Sequence, residues 1–231
     1  MISFILATVL AAAPALAPAC ASGSPGAICR AVAATAAADH ATAASEFEAA
    51  AAALTIGPER DRALAAAGNM HLADGQPGKA ALALDRALAG TGLRAEQRGE
   101  ALLDRARAAE ATGDLKGARL GVTKASETIS EDPFLWYFST ALAIREGNAK
   151  LAVDHSKRAL NLAPDEPLLL FEAGHAAQLA GDIAGARTYW QRTVAKAAAG
   201  SGEAKSAREA LAMLDAPPVP VKPAAKVQPK S

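Results

Sequence analysis

The chain has 231 residues, 51% of them apolar but only 4% aromatic, and it balances 24 basic against 24 acidic side chains. That length suits one sizeable domain or a short array of repeats. The charge balance argues against a nucleic-acid binder, which concentrates basic residues on one surface, and the sparse, scattered β-branched residues argue against a sheet.

Much of the apolar fraction is alanine, the strongest helix former and one with little side-chain bulk. Helices packed backbone near backbone are therefore expected, without a thick aromatic core.

The chain opens MISFILATVLAAAPALAPA. Its apolar run at 2–13 has the length of a secretory signal's hydrophobic region. It falls short of the roughly 20 residues of a membrane span, and Pro14 interrupts it, so no stable membrane insertion is expected. A-x-A patterns at 15–17 and 17–19 offer a peptidase site; cleavage after Ala19 or Ala21 is preferred, because a cut after Ala17 would leave Pro18 first. These features predict a signal peptide over 1–19 and a periplasmic or secreted protein. No Lys or Arg precedes the run, which keeps a retained anchor and a cytosolic start as alternatives. A lipidation site at Cys20 fits badly, since Leu16 sits one residue too far away and Pro18 falls between them.

Cys20 and Cys29 are the two cysteines and bracket a Gly/Ser/Pro segment able to bend back. An oxidising compartment favours a disulfide between them, which would pin the N-terminal end through a short loop. The alternative is an unpaired Cys20 exposed by cleavage. Two cysteines at this spacing suggest no metal site.

Residues 27–38 and 40–54 read as a degenerate first helix pair, with Phe47 as the large residue of its second helix and Gly57-Pro58 as its stop; the unit spans 27–57. A clear repeat follows. Gly113-Asp114, Gly147-Asn148 and Gly181-Asp182 recur every 34 residues. An alanine follows each glycine by five residues (Ala118, Ala152, Ala186), and a large apolar residue precedes it by eleven (Leu102, Trp136, Leu170). An earlier copy centres on Gly75, with Leu64, Gly68, Ala80, Leu84 and Ala87 in matching places. It lies 38 residues before Gly113, which places an insertion of four at 89–93, where Gly90 and Gly92 sit. Leu64-Ala67-Gly68-His71 and Leu170-Ala173-Gly174-Ala177 follow the spacing of one helix face. Each turn glycine supplies the backbone conformation that ends a helix, and Pro164 closes one repeat.

This pattern resembles the tetratricopeptide repeat, with GDIAGARTYW at 181–190 the best match and Trp136 to Pro164 the next. The copies depart from the consensus. Arg105-Ala106 and Ser139-Thr140 replace its Leu-Gly pair; Ala109, Ala143 and Ala177 replace its Tyr; Val122 and Ser156 replace its Phe. The resemblance implies an all-α, right-handed superhelical solenoid of antiparallel helix pairs. The array would occupy 58–200, and an amphipathic capping helix at 201–215, with Leu211 and Leu214 facing the stack, would cover its last apolar face. The segment 216–231, APPVPVKPAAKVQPKS, carries three lysines and no acid; its composition predicts an extended, disordered tail.

The residues point to no catalysis and no cofactor. His40, His71, His155 and His175 share no helix at metal-ligating spacing. No phosphate-binding glycine loop or nucleophile elbow is present. The acid pairs Glu131-Asp132 and Asp165-Glu166 precede helix starts, where they are expected to cap free N–H groups.

The resemblance implies instead a concave groove lined by first helices, holding another protein or a peptide. Its register turns Arg62 and Asn69 inward, then Glu100, Asp104, Arg107 and Glu110, then Phe134, Tyr137, Phe138 and Arg145, then Phe171, Glu172, His175 and Gln178. Of these, Arg107, Phe134, Tyr137, Phe138, Arg145, Phe171, His175 and Gln178 are the expected partner-binding residues, aromatics and Arg being common anchors; for Phe138 and Phe171 the equal alternative is that they fill gaps between adjacent helices. Where family members that bind chaperone tails clamp a carboxylate with Asn and Lys, this chain has Ala66, Asp104, Phe138 and Glu172, so that ligand is not implied. The expected role is an exported adaptor. A structural assembly factor of a cell-envelope complex, acting through edges and tail, is the second reading; a cytosolic regulatory protein is the third.

Overall fold

The computed structural model of the chain describes Cys20 and residues 22–215. The expected signal peptide at 1–19 and tail at 216–231 lie outside them. The described residues form helices and no strand: α1 (Gly23–Ala36), α2 (His40–Ala53), α3 (Pro58–Ala73), α4 (Pro77–Ala89), α5 (Ala95–Ala111), α6 (Leu115–Ala125), α7 (Pro133–Arg145), α8 (Ala149–Leu162), α9 (Pro167–Leu179), α10 (Ile183–Lys196) and α11 (Gly202–Asp215). They fall into two compact units that divide between Arg94 and Ala95, at the end of the expected insertion.

One turn closes each helix pair. A residue at positive φ ends the first helix: Gly75 (φ 69°), Gly113 (86°), Gly147 (68°) and Gly181 (80°). The next N–H reaches back to a carbonyl five residues earlier, as in Asp114 to Ala109, Asn148 to Ala143 and Asp182 to Ala177, each 2.9 Å. This satisfies carbonyls the helix end leaves free. The same residue then caps the second helix. Asp114, Asn148 and Asp182 accept the N–H of Gly117, Leu151 and Gly185 at 2.9, 3.1 and 2.8 Å. The first pair keeps this geometry without glycine: Ala38 stands at φ 56°, and Asp39 caps Thr42 at 3.0 Å.

In the first unit α1 packs on α2, α2 on α3 and α3 on α4. Its interior is almost entirely small: Ala31, Ala43, Ala44, Ala50, Ala67 and Ala80 are fully buried, with Leu64 and Leu84 as the large members. A buried methyl contributes only about 0.8 kcal/mol, so close approach must supply the contacts. Gly68 shows how close: a Cβ there would lie 2.4 Å from Leu84 Cγ. The segment between α4 and α5 returns over the start of α3, where the buried Asp61 accepts the Gly92 N–H at 2.9 Å.

In the second unit successive helices pack, and first helices also touch: α5 on α7, α7 on α9 and α9 on α11. That second set of contacts builds a continuous face from first helices, the solenoid arrangement. The core has more bulk here, with Leu103, Leu135, Trp136, Phe138, Leu142 and Leu169 in one cluster. Trp190 anchors another with Ala177, Ala186 and Ala207. Gly174 lets Trp190 in, since a Cβ there would meet its Nε1 at 2.2 Å, and Trp190 donates that N–H to the Phe171 carbonyl at 3.1 Å. Helix α11 lies on α9 and α10, with Leu211 and Leu214 packed against the Trp190 cluster.

One expectation needs correction. Asp132 caps α7 through the Phe134 N–H at 2.8 Å, but the second acid pair does not cap α9. Glu166 makes no side-chain cap, and Asp165 instead binds Lys196 at 2.8 Å and lies 3.5 Å from Arg192. Two cations on the neighbouring helix outcompete the local amides. Phe138 is only 8% exposed and belongs to the core cluster, so it packs between helices, one of the two readings open for it.

Candidate functional site

The face built by α5, α7 and α9 carries most of the expected groove residues. Phe134 and Tyr137 lie one turn apart on α7, their rings 5.6 Å apart. Phe134 is 38% exposed, large for an aromatic ring that could have packed inward. The Arg107 guanidinium of α5 sits 5.4 Å over it and is held there by Asp104 at 2.8 Å. About three turns on from Phe134 along α7, Arg145 pairs with Glu110 of α5. The two arginines are thus each matched by an acid across or along the same face.

Glu172 of α9 is the unmatched group. Burial pushes its carboxyl up to about 7, and Arg145 offsets this only in part. Burial, with the Glu172 charge nearby, also raises the Tyr137 hydroxyl, against the pull of Arg107. These side chains therefore share one electrostatic neighbourhood. Beside it, His175 stacks edge-on between Phe171 at 4.6 Å and Trp190 at 5.3 Å, and burial lowers its pKa. Phe171 is half-buried against the Trp190 cluster, and Gln178 is exposed at the end of α9. Phe134, Tyr137 and Arg107 come together, Arg145 pairs separately with Glu110, Phe171 and His175 stack on α9, and Phe138 is buried in the core cluster.

Two features were missed by reading the sequence. The first unit has its own cavity of about 570 Å³, lined by residues of α1, α2 and α3 that include Ile28, Phe47, Leu54 and Arg62. Phe47 and Arg62 were each visible in the sequence, but no spacing rule places them together. The second is a polar cluster inside the second unit. Ser139 Oγ lies 2.7 Å from His155 Nδ1 and receives Arg119 Nη1 at 2.8 Å. Arg119 also forks onto Glu146 at 2.8 and 3.2 Å. Ser139 is fully buried, while Arg119, Glu146 and His155 are partly exposed.

Of the remaining histidines, His71 is buried and reaches Glu48 through Nε2 at 3.1 Å, and His40 begins α2; the Nδ1 of each is buried with no hydrogen-bond partner among the described residues. Among the described residues no three His, Cys, Asp or Glu are grouped to hold a metal ion, and no helix is long and apolar enough to cross a membrane. Cys20 and Cys29 are joined by a disulfide, their Cα atoms 5.7 Å apart.

No protein-family model matches the sequence, and no curated protein matches it in sequence. Solved structures do resemble it. PilW, a type IV pilus biogenesis factor, superposes with a TM-score of 0.68 at 15% identity, over 79% of this chain and 81% of that one. A tetratricopeptide repeat protein from Parabacteroides merdae gives 0.66 at 14% identity, over 83% and 73%. YrrB, a TPR protein with an unusual peptide-binding site, gives 0.59 at 14% identity, over 80% and 91%. The period and the turns match the repeat, while several consensus side chains are replaced, Ala109, Ala143 and Ala177 among them. The chain is an all-helical solenoid with the tetratricopeptide-repeat fold.

Proposed function

We propose that this chain is a binding module that catalyses no reaction and holds another protein or a peptide on the α5–α7–α9 face. The observation that carries this reading is the exposed Phe134 ring, with Arg107 over it and Tyr137 beside it. Alanine-rich packing does not require these groups outside, whereas aromatic and Arg side chains are favoured contact anchors. The fold is shared with proteins such as YrrB, described as having a peptide-binding site. The test is quantitative capture of a partner from cell-envelope extract by wild type and by F134A/Y137A, with helicity checked by circular dichroism. Loss of capture with helicity retained is the expected result; equal capture rejects the face.

We further propose export to the periplasm or outside the cell. The apolar segment at 2–13 and the A-x-A pattern support it, as does the Cys20–Cys29 disulfide, since such bonds persist in oxidising compartments. Mass spectrometry of the mature N-terminus tests this; a chain retaining Met1 in the cytosol supports the regulatory alternative.

A second reading, an assembly factor for an envelope complex working through its edges, is favoured by exposed apolar side chains on second helices. Leu82 of α4 is 68% exposed and Leu120 of α6 is 57% exposed. Capture that survives F134A/Y137A but is lost in L82S or L120S selects it.

A further inference from the structure

We infer that the cavity lined by α1, α2 and α3 is a binding site for a small apolar zwitterion, either a free apolar amino acid or a short apolar peptide. Glu59 takes the ligand's ammonium, Arg62 its carboxylate, and the cavity its apolar body. The site shares no residue with the α5–α7–α9 face and goes beyond the function proposed for that face.

Shape supplies the first argument. The cavity of about 570 Å³ is lined by residues of the first unit alone, and its volume is one that ligand pockets have. Helices α1 and α3 each pack on α2, and α3 presents only Ala63 and Ala66 as its apolar contribution to the space beside it. Side chains that short leave the space open. Phe47 and Leu54 line it from α2 and its C-cap. Ile28 lines it from α1 and stays 37% exposed, although burying it would be favourable. The Cys20–Cys29 disulfide closes the stretch that carries Ser24, Pro25 and Ile28. That wall is therefore tied down, which lowers the ordering cost of taking a ligand.

Charge supplies the second. Glu59, Arg62, Ala63 and Ala66 stand at i, i+3, i+4 and i+7 of α3, so one helix face borders the cavity. Glu and Arg three residues apart on a helix commonly pair. Here they do not: among the described residues neither makes a hydrogen bond or an ion pair. Several neighbouring charges are already matched. Arg30 forks onto Glu46 at 2.8 and 2.7 Å, Glu48 reaches His71, and the buried Asp61 accepts the Gly92 N–H. The cavity is thus bordered by one anion and one cation, one turn apart, each without a partner. A ligand of single charge would be attracted by one and repelled by the other, whereas a zwitterion satisfies both. Cβ atoms at this spacing lie about 5–6 Å apart, and an ammonium and a carboxylate on one ligand, each at about 2.8 Å from its partner, bridge such a pair. The guanidinium fork suits the carboxylate, and the apolar body leaves water for Ile28, Phe47 and Leu54.

The experiment titrates the isotope-labelled full chain with L-leucine and with leucyl-leucine, followed by amide NMR. Saturable shifts of the Ser24, Ile28, Leu54, Ala63 and Ala66 signals with at least one of the two are the expected result, and which of them binds identifies the source of the zwitterion. No saturable shift with either at millimolar concentration overturns the inference. Isocaproate, which lacks the ammonium, and isoamylamine, which lacks the carboxylate, are each expected to bind about tenfold or more weakly than leucine, as the loss of one charged hydrogen bond requires. Equal binding of either overturns the zwitterion and leaves a plain apolar cavity. Glycine, without an apolar body, is expected to give no shift, and binding as tight as leucine's overturns the role of the cavity. E59Q and R62Q change exposed side chains, so both are expected to melt with wild type. Each is expected to bind about tenfold or more weakly, and unchanged affinity in either overturns the assignment.

Discussion

The Ser139 hydroxyl lies 2.7 Å from His155 Nδ1 and accepts from Arg119 Nη1 at 2.8 Å. The guanidinium can only donate, and a neutral His155 ring with its proton on Nε2 lets Ser139 donate to Nδ1. Trp136 stacks edge-on to that ring at 5.1 Å, and Arg158 lies 4.6 Å over the Trp136 ring. Burial, then the charges of Arg119 and Arg158, hold the His155 pKa down at about 4, from an ordinary 6.5.

That arrangement predicts an acid-sensitive fold. His155 charges in the unfolded chain near pH 6.5 but in the folded one only near 4. Its contribution is therefore fully present above 6.5 and is lost as pH falls toward 4. Because the ring is partly exposed, the expected loss is on the order of 1–2 kcal/mol, below what the full shift would convert to. Urea denaturation of wild type and H155Q at pH 7.5, 6 and 4.5 isolates the effect, since the other groups cancel in the difference. A wild-type advantage that does not shrink with falling pH would falsify this account.

Glycine to alanine should change sign with position. At Gly174 the added methyl meets the buried Trp190 indole at 2.2 Å, and the ring is fixed by its bond to the Phe171 carbonyl. Overpacking of about 1–3 kcal/mol should exceed the gain in helix propensity of roughly 1 kcal/mol, so G174A is expected to be less stable. At Gly78 nothing lies within 4 Å, and G78A is expected to gain up to about 1 kcal/mol. Thermal melts of both variants compare the two; equal shifts would sink the argument.

Ala38 occupies the left-handed turn position that glycine holds in the later pairs. An L side chain there costs about 1 kcal/mol, partly returned because alanine restrains the unfolded chain. A38G is expected to stabilise the first unit by up to about 1 kcal/mol, and G113A to destabilise the second by about the same. Hydrogen exchange of α1 and α2 amides reads the first effect. Faster exchange in A38G would show that the turn is not strained.

The period was legible because turns are local. Gly113, Gly147 and Gly181 mark themselves by backbone need, and the Asp or Asn beside each marks the next helix start. The groove's polar pairs were half legible: register put Arg107, Phe134 and Tyr137 on first helices, but not the Arg107–Phe134 contact across α5 and α7. What the sequence hid depends on distance along the chain. Asp165 finds Lys196 31 residues away and Arg119 finds Ser139 20 away; no spacing rule within one helix encodes either. Phe138 was open to two readings because the repeat register does not distinguish a groove wall from the seam between two first helices. The cavity near Phe47 escaped for the same reason, its walls coming from three helices.

Phe134 and Phe138, four residues apart on one helix, are expected to respond oppositely. Phe138 is 8% exposed among Leu103, Leu135 and Leu142, and truncating a buried Phe costs about 3–5 kcal/mol. F138A should therefore lose stability and, with it, any activity, without reporting on recognition. Phe134 is 38% exposed and makes one cation–π contact with Arg107, a pairing of roughly 0.5–1 kcal/mol at an exposed site. F134A should melt within a few degrees of wild type, while a face that uses the ring as an anchor should lose about tenfold or more in partner affinity. Denaturant midpoints and partner affinity measured on the same two proteins separate the roles. If F134A costs the fold as much as F138A, the ring is structural, and the case for it as a contact residue disappears.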